Sequence, residues 1–256
     1  KAFSYENSQL ENEFYRINVN ANGTLNIFDK ETEHLYEQAL RIEDGSDDGD
    51  EYDYSPSRKE WLLYSDEFDA KVNVKHEVFQ SVATIKLRMN LPENLQQREE
   101  RTGQNGYLDV NCQVVLKQGT RRIEVRMELD NQADDHRVRV LVPTPFVSET
   151  VVADNQFGLI THPTNDPEMA NWETDGWKEA PVPVYQLMNF AAVENAQGGM
   201  ALMSNGLREF EVISSQGNEE RDTFALTLLR GIGVLGKEEL LLRPGRPSGI
   251  KIPAVF

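Results

Sequence analysis

The sequence is short of positive charge, of cysteine, of histidine and of long apolar runs, and each shortage closes off a class of function. Lys and Arg number 26 against 43 Asp and Glu, a formal net charge of −17. A surface of that sign repels phosphate backbones, which argues against nucleic acid as a partner, whereas a neutral sugar is indifferent to it. Its plain role is to keep the protein soluble. The lone Cys112 rules out an intrachain disulfide; it lies in an alternating run and reads as a small core residue. The four histidines, His34, His76, His136 and His162, are far apart and show no ligand-like spacing, so no metal site is expected from this chain. Apolar runs are only a handful of residues long, as in Phe190 to Val193, so no membrane-spanning segment is expected. There is no G-x-S-x-G serine elbow, and nothing near Cys112 would activate a thiol. No catalytic residue is expected here.

What is present is alternation. Phe14 to Val19 and Leu25 to Phe28 alternate around the turn cluster Asn20-Ala21-Asn22-Gly23, which predicts a hairpin. Val72 to Val78 with Val82 to Met89, and Tyr107 to Leu116 with Arg122 to Leu129, predict two more, the last joined by Lys117-Gln118-Gly119-Thr120. His136 to Val142, Met200 to Met203, Phe210 to Ile213 and Thr223 to Leu229 follow the same pattern. Period-two runs joined by hairpin turns give antiparallel sheets that hide one face each, so the expected fold is all-β, one large antiparallel β-sandwich. Glu31 to Leu40 fits a helix or a strand equally. Two long connections, Glu43 to Lys59 and Thr161 to Pro183, are expected to be functional or packed tightly on the surface.

The segment from Glu43 to Asp53 holds seven carboxylates in eleven residues. It could be a solvated turn, a sugar-facing loop or, least, a calcium loop. An EF-hand register with Gly49 at its sixth position starts at Asp44 and puts Ser55 where a bidentate Glu is required. Carboxylates accept hydroxyl protons and tyrosines stack and hydrogen-bond, which gives the sugar reading its basis. Gly231-Ile232-Gly233-Val234-Leu235-Gly236 matches G-x-G-x-x-G, but Pro244, Pro247 and Pro253 break the helix a dinucleotide site requires, so a glycine-rich sheet-edge loop is expected instead. Asp134-Asp135 sits in a hairpin turn; neighbours in a strand face opposite ways, which disfavours a catalytic pair. Asn171 to Trp177 carries two tryptophans that could stack on a sugar or staple the loop onto the sheet. Arg230, Arg243 and Arg246 form a basic cluster suited to pairing with the surplus carboxylates.

Five strings taken together resemble the bacterial branch of glycoside hydrolase family 38, near its mannosylglycerate hydrolase-like members. They are Asp44-Gly45 through Asp50-Glu51-Tyr52-Asp53-Tyr54-Ser55-Pro56; Asp154-Asn155-Gln156-Phe157-Gly158; Gly176-Trp177-Lys178-Glu179-Ala180-Pro181-Val182-Pro183; Gly206-Leu207-Arg208-Glu209-Phe210-Glu211-Val212; and Leu228-Leu229-Arg230-Gly231 through Leu242-Arg243-Pro244-Gly245-Arg246-Pro247.

The resemblance implies a galactose-mutarotase-like super-sandwich, covering 1–256, that belongs to a larger enzyme. Its α/β catalytic domain and helical bundle would precede this chain, and a last sandwich portion would follow. It implies a retaining α-mannosidase whose zinc, held by two histidines and two aspartates, and whose aspartate nucleophile lie upstream, so no cofactor and no activity are expected of this chain alone. The expected partner is a mannoside, met through the parent's catalytic domain; a homodimer of the parent and a cytoplasmic location are compatible with it. By the same resemblance Tyr52, with Tyr54 and Asp53 as neighbouring alternatives, and Arg230 match residues that reach the sugar, and Arg208 joins them on the density of its motif. Two other classes stand beside this reading. A stand-alone carbohydrate-binding module would bind mannosides in isolation. A mutarotase-like enzyme would need its own converging acid and base, such as His76 or His162 near a Glu, for which the spacing gives no support.

Overall fold

The computed structural model describes residues 8–177, 179–196, 198–214 and 221–243; Lys178, Arg246 and the prolines from Pro244 onward, which entered the sequence reading, lie outside these. Strands β1 (Gln9–Glu11), β2 (Tyr15–Val19), β3 (Leu25–Asp29) and β4 (Leu35–Ala39) open the chain as a four-stranded meander. β5 (Arg41–Ser46) and β6 (Leu63–Tyr64) come next. β7 (Ala70–His76), β8 (Gln80–Leu91), β9 (Gly106–Lys117) and β10 (Ile123–Asn131) make a second four-stranded sheet, with the short helix α1 (Leu95–Glu100) between β8 and β9. The rest of the chain supplies β11 (His136–Pro143), β12 (Thr150–Asn155), β13 (Gly158–Pro163), β14 (Val184–Gln186), β15 (Phe190–Asn195), β16 (Gly198–Met203), β17 (Glu209–Ile213) and β18 (Thr223–Gly231). A six-stranded sheet runs β14-β17-β18-β11-β5-β6, and a fourth sheet runs β13-β12-β15-β16. Every strand pairing described is antiparallel.

The fold is therefore all-β, as alternation predicts. It is not one plain two-layer sandwich: the four sheets are set more like four blades. Two apolar clusters hold them. Leu10, Ile17 and Leu25 of the first sheet meet Ile85, Leu108 and Val114 of the second, together with Ile42 and Val138 of the six-stranded sheet. Phe210, Phe224 and Leu226 of the six-stranded sheet meet Val151, Ala191 and Val193 of the fourth. Burial of β9 alternates along its length, and Cys112 is one of its inward residues. Burial pushes the Cys112 thiol up to about 12, which makes it chemically inert.

The first hairpin forms where the turn cluster predicts it, with Ile17 opposite Ile27. Gly23 takes φ of +87°, and a Cβ there would come within 2.9 Å of Ile85 Cγ2, so both backbone and packing demand glycine. Asn22 Oδ1 accepts from Thr24 N–H at 3.1 Å and from the Thr24 hydroxyl at 2.8 Å.

One open reading is decided and two expectations are corrected. Of the stretch Glu31 to Leu40, left between helix and strand, Leu35–Ala39 is a strand, β4, entered through a turn. The connection expected from Glu43 begins as strand, because Glu43 to Ser46 belong to β5, which is buried from Ile42 onward. The connection expected from Thr161 begins after Pro163, the last residue of β13.

Candidate functional site: a cleft above the acidic loop

The site follows from strand direction. β5 and β18 flank β11 and both run antiparallel to it, so Ser46 and Gly231 lie on either side of His136 at the same end of the sheet. The acidic loop leaves from Ser46 and the glycine-rich loop from Gly231, so both emerge together. β17 runs antiparallel to β18 and starts at this end, which brings in Arg208 and Glu209. β14 ends here too, with Gln186 opposite Glu209. The G-x-G-x-x-G string is the expected sheet-edge loop.

The acidic loop is buried and paired, which overturns the solvated-turn reading. Asp44, Asp47 and Asp50 are each fully buried. Six of the seven carboxylates from Glu43 to Asp53 meet a cation delivered from 54 to 193 residues further along the chain, and the seventh, Glu51, is exposed. Glu43 pairs with Arg139 at 2.5 Å. Asp44 binds the Arg98 guanidinium and lies 2.5 Å from His136 Nδ1. An ionised carboxylate can only accept, so that ring nitrogen carries the hydrogen. Asp47 accepts from Arg230 Nε at 2.6 Å and Nη2 at 3.1 Å. Asp48 is bound by Lys237, and Arg243 bridges Asp50, at 3.0 Å, and Asp53. Burial pushes the Asp47 carboxyl above its ordinary range, against the pull of Arg230. The loop does not fit a cation: its buried acids are already engaged, and among the described residues no three His, Cys, Asp or Glu are grouped to hold a metal ion.

Backbone geometry finishes the loop. Asp50 Oδ1 accepts from the N–H groups of Tyr52 at 3.0 Å and Asp53 at 2.9 Å, a side-chain-made turn. A Cβ on Gly49 would lie 2.1 Å from the Asp53 carbonyl oxygen, so the chain closes only over glycine. Arg230 Nη2 adds bonds to the carbonyls of Asp50 and Asp53 at 2.9 and 3.1 Å.

On this floor stands a cleft of about 320 Å³, at the lower end of small-ligand sites. Tyr52, Asp53, Arg208 and Arg230, the four residues singled out in the sequence, all line it. Their situations differ. Tyr52 is 73% exposed and holds no hydrogen bond through its hydroxyl among the described residues. Asp53 is committed to Arg243. Arg230 braces the loop. Arg208 donates to the Met188 carbonyl at 2.6 Å. Tyr54 also reaches the wall, but Arg137 covers its ring at 3.5 Å, and burial pushes its hydroxyl pKa up.

Sequence reasoning missed Arg98, Arg137, Arg139, Lys237 and Tyr185. Arg98 rides on α1, whose start was legible: Asn94 caps it, accepting from Gln97 N–H at 3.1 Å. Tyr185 lines the cleft and stacks on His162 with ring centres 4.0 Å apart. Neither Trp172 nor Trp177 is among the residues lining the cleft; Trp177 is 46% exposed and Trp172 is half-buried. The Asp154 string lies elsewhere too. Despite the opposing cost of desolvation, three backbone N–H groups and the Asn189 amide hold the Asp154 carboxyl down at about 2.

Known proteins match the chain along most of its length. Residues 10–233 match the family described as "Glycosyl hydrolases family 38 C-terminal domain". A putative mannosylglycerate hydrolase of Halalkalibacterium halodurans is 25% identical over 92% of this chain, which spans 26% of that protein. The crystal structure of an α-mannosidase from Enterococcus faecalis V583 superposes with a TM-score of 0.77 at 25% identity, over 98% of this chain and 28% of that one. A second Enterococcus faecalis family-38 structure gives 0.75 at 24% identity, over 98% of this chain and 30% of that one, a likeness of fold. The chain thus spans under a third of these relatives. Among the described residues no helix is long and apolar enough to cross a membrane. Matched by that family over residues 10–233, most of its length, this chain belongs to the glycoside hydrolase family 38 C-terminal domain family.

Proposed function

We propose that this domain forms one wall of the sugar site in an α-mannosidase-type glycosidase, and that its four sheets serve as a galactose-mutarotase-like super-sandwich supporting that wall. The observation that carries the reading is convergence. Four of the five family-like strings, far apart in sequence, supply residues to one cleft: Tyr52 to Tyr54, Glu179 with Ala180 and Val182, Arg208 with Glu209, and Arg230 with Leu242 and Arg243. A scaffold alone has no need to gather them.

In this reading Tyr52 is the direct sugar contact, because it is exposed over the cleft and its hydroxyl is uncommitted. Arg230 acts mainly through the loop it braces, and Asp53 through Arg243. The parent enzyme is retaining and zinc-dependent, with zinc and nucleophile carried by polypeptide outside this domain. One relative bears the name of a mannosylglycerate hydrolase, so α-mannosides with a small acid as aglycone are the substrate class to test first.

The test is Tyr52→Phe in the full-length enzyme. Loss of one neutral hydrogen bond lowers kcat/KM by the equivalent of about 0.5–1.5 kcal/mol, with thermal stability unchanged. Unaltered kcat/KM counts against the proposal. The isolated domain is expected neither to bind zinc nor to cleave an aryl α-mannoside; tight mannoside binding by it alone would favour a carbohydrate-binding module instead.

A further inference from the structure

We infer that Arg208 selects for an anionic group, a carboxylate or a phosphate, on the part of the substrate that lies beyond the mannose ring. The inference rests on reading the cleft as a sugar site and adds to that reading the residue that reads charge. Three arginines line the cleft, and two are neutralised within the protein: Arg230 by Asp47, and Arg243 by Asp50 and Asp53. Beneath them Arg139 is matched by Glu43 and Glu211, whereas Arg137 is buried against the Tyr54 ring, 3.9 Å from Glu209, with its Nη1 making no hydrogen bond among the described residues.

Arg208 is different. Its Nη1 donates to the Met188 carbonyl at 2.6 Å and lies 3.5 Å from the Met188 sulfur. Among the described residues no carboxylate forms an ion pair with it, and its side chain is exposed. A neutral carbonyl anchors one corner of the guanidinium without cancelling its charge. Nε and Nη2 stay without a protein acceptor among the described residues, and a guanidinium edge of that kind matches the two oxygens of a carboxylate or phosphate.

The wall's acids leave room for such a group. Asp53 is held by Arg243, and Glu209 accepts from Thr227 Oγ1 at 2.6 Å; Glu179 is the third. With Arg230 and Arg243 bound to Asp47, Asp50 and Asp53, Arg208 is the lining arginine to which no carboxylate is bonded among the described residues, and its open edge is suited to receive charge from a ligand.

The test uses the full-length enzyme and three substrates: 2-O-α-mannosyl-glycerate, its uncharged glyceramide analogue, and an α-mannosyl-glycerol phosphate. The readout is the ratio of kcat/KM for each acid to that for the amide. Arg208→Gln is expected to lower the ratio by about tenfold or more, and Arg208→Lys by less, since a point charge keeps attraction but not the fork. Whichever acid shows the larger drop identifies the anion. Calorimetric binding of glycerate and of glycerol phosphate to wild type and to Arg208→Gln gives a readout that needs no turnover; weaker binding of either to the variant supports the assignment. A ratio and affinities within twofold of wild type overturn it. Wild type that cleaves none of the mannosides defeats the sugar-site reading instead, and calorimetry still decides Arg208.

Discussion

The acidic loop and the tryptophan loop look alike in sequence and are opposites in structure. Both are long connections rich in acids and aromatics. The acidic loop buries Asp47 and Asp50 completely and binds them to Arg230 and Arg243. The tryptophan stretch of the second connection is exposed at Asn171 and from Glu173 to Trp177, and its backbone bonds, such as Trp177 N–H to Trp172 O at 2.9 Å, stay within it; further on, Ala180 N–H donates to the Leu242 carbonyl at 2.8 Å and the connection joins the cleft wall. A loop becomes a built surface when distant parts of the chain deliver partners to it. Its own composition does not decide this. Here the partners are cations at the ends of β18 and α1 and in the segment after Gly231, and the sheet topology sets them opposite the loop.

The largest expected break of that contrast is Asp44→Asn. Asp44 is fully buried between Arg98, itself 1% exposed, and His136. Removing its charge strands a buried guanidinium, and breaking a buried pair in this way costs about 3–5 kcal/mol. Urea unfolding should show it as a lower midpoint with an unchanged slope. A loss below about 1 kcal/mol would mean that the network merely accompanies the folded loop and does not hold it.

Much of the fold was legible because core strands announce themselves. β8 and β9 alternate over twelve residues each, and their hairpin partners follow by turn chemistry. β5 was hidden for a physical reason: it is a strand buried on both faces that carries Glu43 on one and Asp44 on the other, acids that read as loop until Arg139 and Arg98 are placed beside them. β13 was hidden by the opposite cause, since an edge strand exposed at five of its six residues has no buried face to reveal a period. The four chosen site residues were found through their motif strings. Their different duties were not, because whether an arginine is matched or free depends on ion pairs across up to 193 residues.

Gly49→Ala sharpens the comparison at an intermediate scale. The added methyl would sit 2.1 Å from the Asp53 carbonyl oxygen and 2.9 Å from the Ser55 nitrogen, both backbone atoms. The loop must open by more than a side-chain adjustment, at a cost of about 1–3 kcal/mol. Because Tyr52 and Asp53 ride on the displaced segment, kcat/KM of the full-length enzyme should fall along with the melting temperature. A variant that loses stability and keeps full activity would show that the loop's shape does not matter to the site.

Trp177→Ala is the smallest expected effect and the control for the rest. Trp177 does not line the cleft and is 46% exposed. Truncating a half-exposed ring outside the cleft should change stability by no more than about 0.5 kcal/mol and leave kcat/KM where it was. The two outcomes separate two errors. A large loss of stability would show that the loop is packed against some part of the parent enzyme, so its exposure belongs to the isolated domain. A loss of kcat/KM at constant stability would show that the sugar site extends past the cleft, and that the second loop, like the first, is completed by distant polypeptide.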